Sequence, residues 1–280
     1  MEPRRRTSVA GTWYPDDPVR LAQEVDRYLA EADVHALPRS PRALVAPHAG
    51  LMYSGPVAAF AYKAARDRSY AAVVLVGPSH FVPFRGVALW GEGSWDTPYG
   101  PVAVDRDLGA AIRTASSEIV DVAAAHGREH SLEMQLPFVA HLLPGVPIVP
   151  LVMGRQTRAT AFALGDAIAR AVVGWAAGAG AAGEVLLVAS SDLSHYENAS
   201  VASALDAEML QHVERIDPEG LMAALEREPR HACGGGPMVA VLHAARQLGA
   251  GDARVLRYAD SGDVSGDKSS VVGYMAAAIW

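Results

Sequence analysis

Ala72-Val-Val-Leu-Val-Gly-Pro-Ser-His80 reads as a strand that ends in a sharp turn carrying a histidine. Its apolar run, Ala71 to Val76, does not alternate with polar residues, as expected of a parallel strand buried on both faces. Two other runs end in the same way: Ala43-Leu-Val-Ala-Pro-His48 and Val185-Leu-Leu-Val-Ala-Ser-Ser-Asp-Leu-Ser-His195. Open α/β sheets gather ligands at the carboxyl ends of their strands. Three histidines delivered there from separate strands can meet around one metal ion.

Outward from these runs the pattern alternates strands with helices. Asp17-Pro18 caps a helix to about Glu31, Gly55-Pro56 starts another to about Arg68, and Asp105 caps a third. Val87 to Trp90 and Pro101 to Val104 read as a strand pair around a long loop holding Trp95 and Tyr99. Ser131 opens a helix that Pro137 kinks or ends. A strand over Val146 to Met153 leads to an Ala-rich helix from Thr157 to Trp175 and a flexible connection, Gly178 to Gly183. After the strand from Glu184, helices cover about Ala199–Val213, Pro218–Glu226 and Pro237–Leu248. Arg254 to Tyr258 and Ser270 to Ala276 close the chain as strands. The expected architecture is α/β: a single domain over 1–280, with a largely parallel central sheet and helices on both faces.

The chain has 280 residues and a formal net charge of −7, which argues against a nucleic-acid partner. Arg4-Arg5-Arg6 reads as a solvated tail. Cys233 is the sole cysteine, so no internal disulfide forms and a reducing compartment suits the chain. No stretch reads as a bilayer span or as the apolar core of a signal peptide, so the expected location is cytoplasmic, with no membrane partner.

Neutral imidazole is a common ligand for zinc, copper and iron, so His48, His80 and His195 form the candidate metal set. Asp192 is either a fourth ligand or the group that holds His195 in the right tautomer, and an Asx-turn is its plainer role. In His231-Ala-Cys233-Gly-Gly-Gly-Pro237 the glycines suit an anion-binding nest at a helix start. Helix-terminal N–H groups can lower the Cys233 pKa, making it a soft ligand or redox group; otherwise it fills core space. Glu129 and His130 either cap the next helix or supply an acid/base group at the pocket rim. Trp13, Tyr14, Tyr53 and Trp95 offer aromatic walls to a small ring or a peptide.

Seven motifs together resemble the Memo family, whose prokaryotic members are often called AmmeMemoRadiSam system protein B. They are Gly11-Thr-Trp-Tyr-Pro15, Pro47-His-Ala-Gly-Leu-Met-Tyr-Ser-Gly-Pro56, Gly77-Pro-Ser-His80, Glu129-His-Ser-Leu-Glu-Met-Gln-Leu-Pro-Phe138, Ser190-Ser-Asp-Leu-Ser-His-Tyr196, Ala232-Cys-Gly-Gly-Gly-Pro237 and Ser261-Gly-Asp-Val-Ser-Gly-Asp267. The resemblance implies one domain similar to the class III extradiol ring-cleaving dioxygenases. It implies a pocket holding one iron, Fe(II), or copper ion on His48, His80 and His195, with Asp192 and Cys233 close by. His195 looks like the catalytic base, and Cys233 stands where the dioxygenases carry a carboxylate ligand. The implied function is an iron- or copper-dependent redox enzyme or oxygenase acting on a small molecule. The alternative is a non-catalytic peptide-binding or adaptor protein that keeps the pocket. The family name adds a radical enzyme as a possible partner; the oligomeric state is left open.

Overall fold

The uninterrupted apolar runs form the middle of the sheet in the computed structural model, which describes residues 2–179 and 184–280. The rest of the expected Gly-rich connection, 180–183, lies outside the described residues. Successive side chains of a strand point to opposite faces. Val45, Val74, Val76 and Leu187 therefore enter one apolar core, and Leu44, Val73, Leu75 and Val188 enter a second. Leu108, Leu164 and Met238, from helices Arg106–Ala115, Arg158–Ala179 and Gly235–Gln247, fill the first. Leu21, Val57 and Phe138, from Pro18–Glu31, Leu51–Ala64 and Leu136–Leu142, fill the second. Helices cover both faces.

The main sheet runs in the order His195–Glu197, Val271–Ile279, Ala43–Ala46, Glu184–Ser190, Tyr70–Pro78, Ile148–Met153, Val87–Leu89, Ile119–Val120, and Ala253–Asp260 pairs with Val271–Ile279. Ala43–Ala46, Glu184–Ser190, Tyr70–Pro78 and Ile148–Met153 are mutually parallel. Antiparallel strands flank them on each side. The expected α/β fold with a parallel centre is present, and the sheet as a whole is mixed.

Several local expectations change. Trp95 lies within a strand, Ser94–Thr97, which pairs with Gly100–Ala103 and with Arg4–Arg5 in a small second sheet. The Val87 strand joins the main sheet instead. The helix expected from Gly55 begins at Leu51, where the Trp13 carbonyl accepts from Leu51 N–H at 2.8 Å. Pro137 sits in the first turn of its helix, where a missing N–H costs nothing, so it starts that helix instead of kinking it. Within the helix Arg158–Ala179, the stretch Arg158–Ala176 is long and apolar enough, by length and composition alone, to cross a membrane, where the sequence reading expects no such stretch. In the fold it packs against Arg106–Ala115 and Gly235–Gln247.

The basic N-terminal run is not a solvated tail. Arg5 is only 3% exposed and ion-pairs with the buried Glu133 carboxylate. Its Nε donates to the His126 carbonyl at 3.0 Å and its Nη2 to the Glu129 carbonyl at 2.6 Å. Glu133 also accepts from Ser8 N–H, Val9 N–H and the Tyr14 hydroxyl. One buried carboxylate thus pins the N-terminal segment to the loop that carries Glu129 and His130.

Beside this clamp, His126 is fully buried between Trp90 and Trp95, each 5.8 Å away by ring centroid. Burial, helped by the nearby Arg5 charge, lowers its pKa from 6.5 to about 4. The unfolded chain therefore takes up this proton first. The stability His126 contributes is complete above pH 6.5 and is lost as pH falls toward 4. Denaturant titrations should show the unfolding free energy falling across that window. A His126→Phe variant should show a shallower fall; an unchanged slope would contradict the assignment.

Candidate metal centre

Parallel strands release their chains at one edge, and the histidines follow from that. Ala46 pairs with Ser190, and Val76 with Ala189, so the three ends are level. His48 and His80 each lie two residues past a strand end. His130 arrives on the loop after the short helix Ala124–Gly127, which folds over the end of Tyr70–Pro78. Ser131 Oγ donates to the Pro78 carbonyl at 2.9 Å. A Cβ on Gly77 would stand 2.8 Å from Ser131 Oγ and from Leu132 Cδ2, so only glycine admits this loop.

His48, His80 and His130 each offer a ligand atom, and these atoms lie within 4.8 Å of one another. His48 and His130 are buried; His80 opens toward solvent. The trio differs from the expected set, in which His195 was the third member. The reason is tertiary: the ion-paired loop places His130 against His80, with ring centroids 4.5 Å apart and planes 20° from parallel. Trp13 also packs on His130, with ring centroids 4.5 Å apart and planes tilted by 54°. His195 and Cys233 line the same cavity, of about 610 Å³, as do Asp192 and the trio.

Hydrogen bonds set the tautomers. Ser190 Oγ has one proton, which goes to the Ser131 carbonyl at 2.6 Å. It therefore accepts from Gln135 Nε2 at 2.8 Å and from His48 Nδ1 at 2.9 Å, leaving His48 Nε2 as the acceptor nitrogen, against Cys233 Sγ. Glu129 accepts from His80 N–H at 2.6 Å, His80 Nδ1 at 2.8 Å and Ser131 N–H at 2.9 Å. Burial alone would raise the Glu129 carboxyl, but those bonds outweigh it and hold it at about 2. As an anion it only accepts, so His80 Nδ1 is the donor and Nε2 is the ring nitrogen left to face a ligand. Burial, with repulsion from His48 and His80, lowers His130 to about 4, and burial pushes His48 well below its usual range. His130 Nδ1 is buried without a hydrogen-bond partner. Three imidazoles with converging ring nitrogens, one of them orphaned, are a donor set that fits a transition-metal ion.

The other expected groups have altered roles. Asp192 Oδ1 accepts from the His48 backbone N–H at 2.7 Å, so it fixes the His48 turn. It does not hold the His195 tautomer: the Leu193 carbonyl does, accepting from His195 Nδ1 at 2.7 Å and leaving Nε2 bare. Cys233 Sγ sits 3.2 Å from His48 Nε2. Burial and the Asp192 charge push its thiol pKa up, opposite to the lowering expected from its helix terminus. The glycines form no free nest, because Gly234 N–H donates to Ser191 Oγ at 3.0 Å and Gly236 N–H to Gln156 Oε1 at 2.7 Å.

Three aromatic side chains surround the site with substantial exposure: Trp13, Phe81 and Tyr196. Tyr196 is 78% exposed in a left-handed conformation (φ +62°), at a register shift of its strand. Trp95 is buried in the second core and does not wall the cavity, and Tyr53 lines a separate groove. Arg230 lines the cavity but is neutralised by Glu228 and Glu197, at 2.9 and 2.7 Å. Glu133, Gln135 and Ser190 escaped the sequence reading. The signal for the first two is a pair of polar residues in the apolar run Leu132-Glu-Met-Gln-Leu136; Ser190 carries none.

Comparison with known proteins bears on the family and the fold. The profile of the Memo-like protein family matches residues 5–278. A MEMO1 family protein of Sulfolobus acidocaldarius is 38% identical over 285 residues, covering 97% of this chain and 98% of its own. Another, of Methanothermobacter thermautotrophicus, is 38% identical over 278 residues, covering 96% and 98%. The crystal structure of the uncharacterized protein JW3007 of Escherichia coli K12 shares the fold, with a TM-score of 0.56 and 17% identity over 85% of this chain and 99% of that one. Matched along nearly its whole length by profile and relatives alike, the chain belongs to the Memo-like protein family.

Proposed function

We propose that this protein is an iron- or copper-dependent redox enzyme or oxygenase acting on a small molecule. The observation that carries the reading is the convergence of His48, His80 and His130, the first two oriented by hydrogen bonds at Nδ1, on a cavity large enough for a substrate. A bound iron or copper ion would supply the electron-transfer and O₂ chemistry that side chains lack. His48, His80 and His130 would hold it, with His195 facing the same cavity as a further ligand or as a base. The resemblance to extradiol dioxygenases favours the base.

The chain's own groups then divide the remaining work. With Nδ1 held by the Leu193 carbonyl, His195 Nε2 is the nitrogen that would take a proton from a hydroxyl in the cavity. Asp192 fixes the His48 turn, and Glu129 orients His80 and strengthens it as a donor. Trp13 and Tyr196 suit a planar ring at the mouth, while Arg230, already neutralised, is not free to recognise an anion. A cytoplasmic location fits the single free thiol of Cys233. The peptide-binding alternative draws on one feature, a second groove of about 530 Å³ sharing Trp13 with the cavity and continuing past Gly50, Met52 and Tyr53.

Protein loaded anaerobically should retain about one equivalent of iron or copper, and His48→Ala/His80→Ala should lose it. Equal metal content in the two would sink the assignment. Glu129→Gln removes the anion that orients His80 and should weaken metal affinity by roughly 10–100-fold, as measured by competition with a chelator. Oxygen uptake by the iron-loaded protein with catechol-type substrates separates enzyme from adaptor. Uptake that vanishes in His195→Gln while metal is retained identifies His195 as the base. Peptide binding with no turnover would favour the adaptor.

A further inference from the structure

At the amino ends of the same strands, on the edge opposite the histidines, Arg39, Arg42 and Arg68 converge on a cavity of about 320 Å³, together with Ser40, Glu184 and Trp280. Arg42 immediately precedes Ala43–Ala46, Arg68 precedes Tyr70–Pro78, and Glu184 opens the parallel strand that lies between them. The frame is rigid. Arg42 N–H donates to the Ile279 carbonyl at 2.7 Å, and the Arg42 carbonyl accepts from Leu187 N–H at 2.9 Å. The Tyr70 hydroxyl ties down the Pro41 carbonyl at 2.9 Å. A fourth guanidinium, of Arg254, lies 5.6 Å over the Trp280 ring.

The charges here are poorly cancelled. Among the described residues, Arg42 and Arg68 form no ion pair, although both are half-buried. Arg68 has only a long bond, 3.4 Å, from Nη2 to the Leu37 carbonyl. Arg39 pairs with Asp252 at 3.1 Å, with both side chains exposed, where such a pair is weak. The acids of a chain with net charge −7 could have covered these cations. Holding like charges around one concavity costs energy unless an anion enters.

We infer that this cavity is a phosphate-binding site, separate from the metal centre. Guanidinium forks bind two oxygens each, and a phosphate group offers enough oxygens for several forks, whereas one fork satisfies a carboxylate. Trp280 is buried, so it presents no free face on which a base could stack, and the ligand is recognised through its phosphate. Glu184, exposed at the margin, opposes binding and limits affinity. Inorganic phosphate and a small phosphate monoester share this chemistry.

Calorimetry on the full chain, with inorganic phosphate and with glycerol phosphate at constant ionic strength set by chloride, tests the inference. Saturable binding of either is expected. Binding of phosphate alone assigns the free ion, and binding of glycerol phosphate as well or instead assigns the monoester. Arg42→Gln and Arg68→Gln should each weaken binding about tenfold or more. Glu184→Gln should tighten it, a sign that general loss of structure cannot mimic. Far-UV circular dichroism and the unfolding midpoint confirm that each variant folds. No saturable heat with either anion, or equal affinity in wild type and both arginine variants, would overturn the inference.

Discussion

The parallel pairing of Ala43–Ala46 with Glu184–Ser190, and of Glu184–Ser190 with Tyr70–Pro78, is the constraint on which the rest depends. Parallel neighbours require crossover connections, so each strand hands its chain to a turn at the same edge. Because the pairing is in register, His48, His80 and Asp192 emerge level with one another. The same pairing places Arg42, Arg68 and Glu184 together at the other edge. Both concavities are consequences of one ladder, with side chains added at its two ends.

A metal centre made only from strand ends would still lack its third close imidazole. His130 is supplied by a loop with no ladder of its own, held by ionic and polar contacts instead. Glu133 takes the Arg5 charge and three further donors, which is what a buried carboxylate needs in order to remain charged without destabilising the fold. Glu129 is satisfied in the same way by His80 and Ser131. Burial meanwhile opposes protonation of His48 and His130, and repulsion from the neighbouring imidazoles adds to it. Anionic supports behind neutral donors make a pocket predisposed to a cation.

The parts legible in the sequence were those governed by local chemistry. Asp17 and Asp105 cap their helices through side-chain bonds to Arg20 and Leu108 N–H, as residue type and position indicated. The apolar runs became the parallel centre because absence of alternation is itself the signature of burial on both faces. His48 and His80 are legible because strand ends in such sheets collect functional groups, Asp192 from its place three residues before His195, and Cys233 from the glycines at a helix start. His130 was recognised as a rim residue but not as a member of the close trio, since its placement depends on Arg5, 125 positions away in the chain. The Gly- and Pro-rich stretch suggests a loop around Trp95, yet it forms a hairpin whose return strand opens at Gly100 with positive φ. Asp192 and Cys233 were located correctly but their contacts were not, because both depend on how the His48 turn closes over Ser190.

The N-terminal clamp also links the mouth of the cavity to its base. Trp13 packs on His130, its carbonyl caps the helix from Leu51, and its segment hangs on Glu133 through Ser8, Val9 and Tyr14. Glu133 lies three residues from His130 in the same loop. A ligand that displaces the Trp13 ring would therefore bear directly on a candidate metal ligand, and an ion drawing in His130 would bear on the indole. By linkage, whatever favours one arrangement of this pair must favour binding of the partner that prefers it. The exposed aromatics around the histidines are thus part of the centre itself. The buried Arg5–Glu133 pair, though remote from the bare nitrogens, determines how firmly the third of them is held.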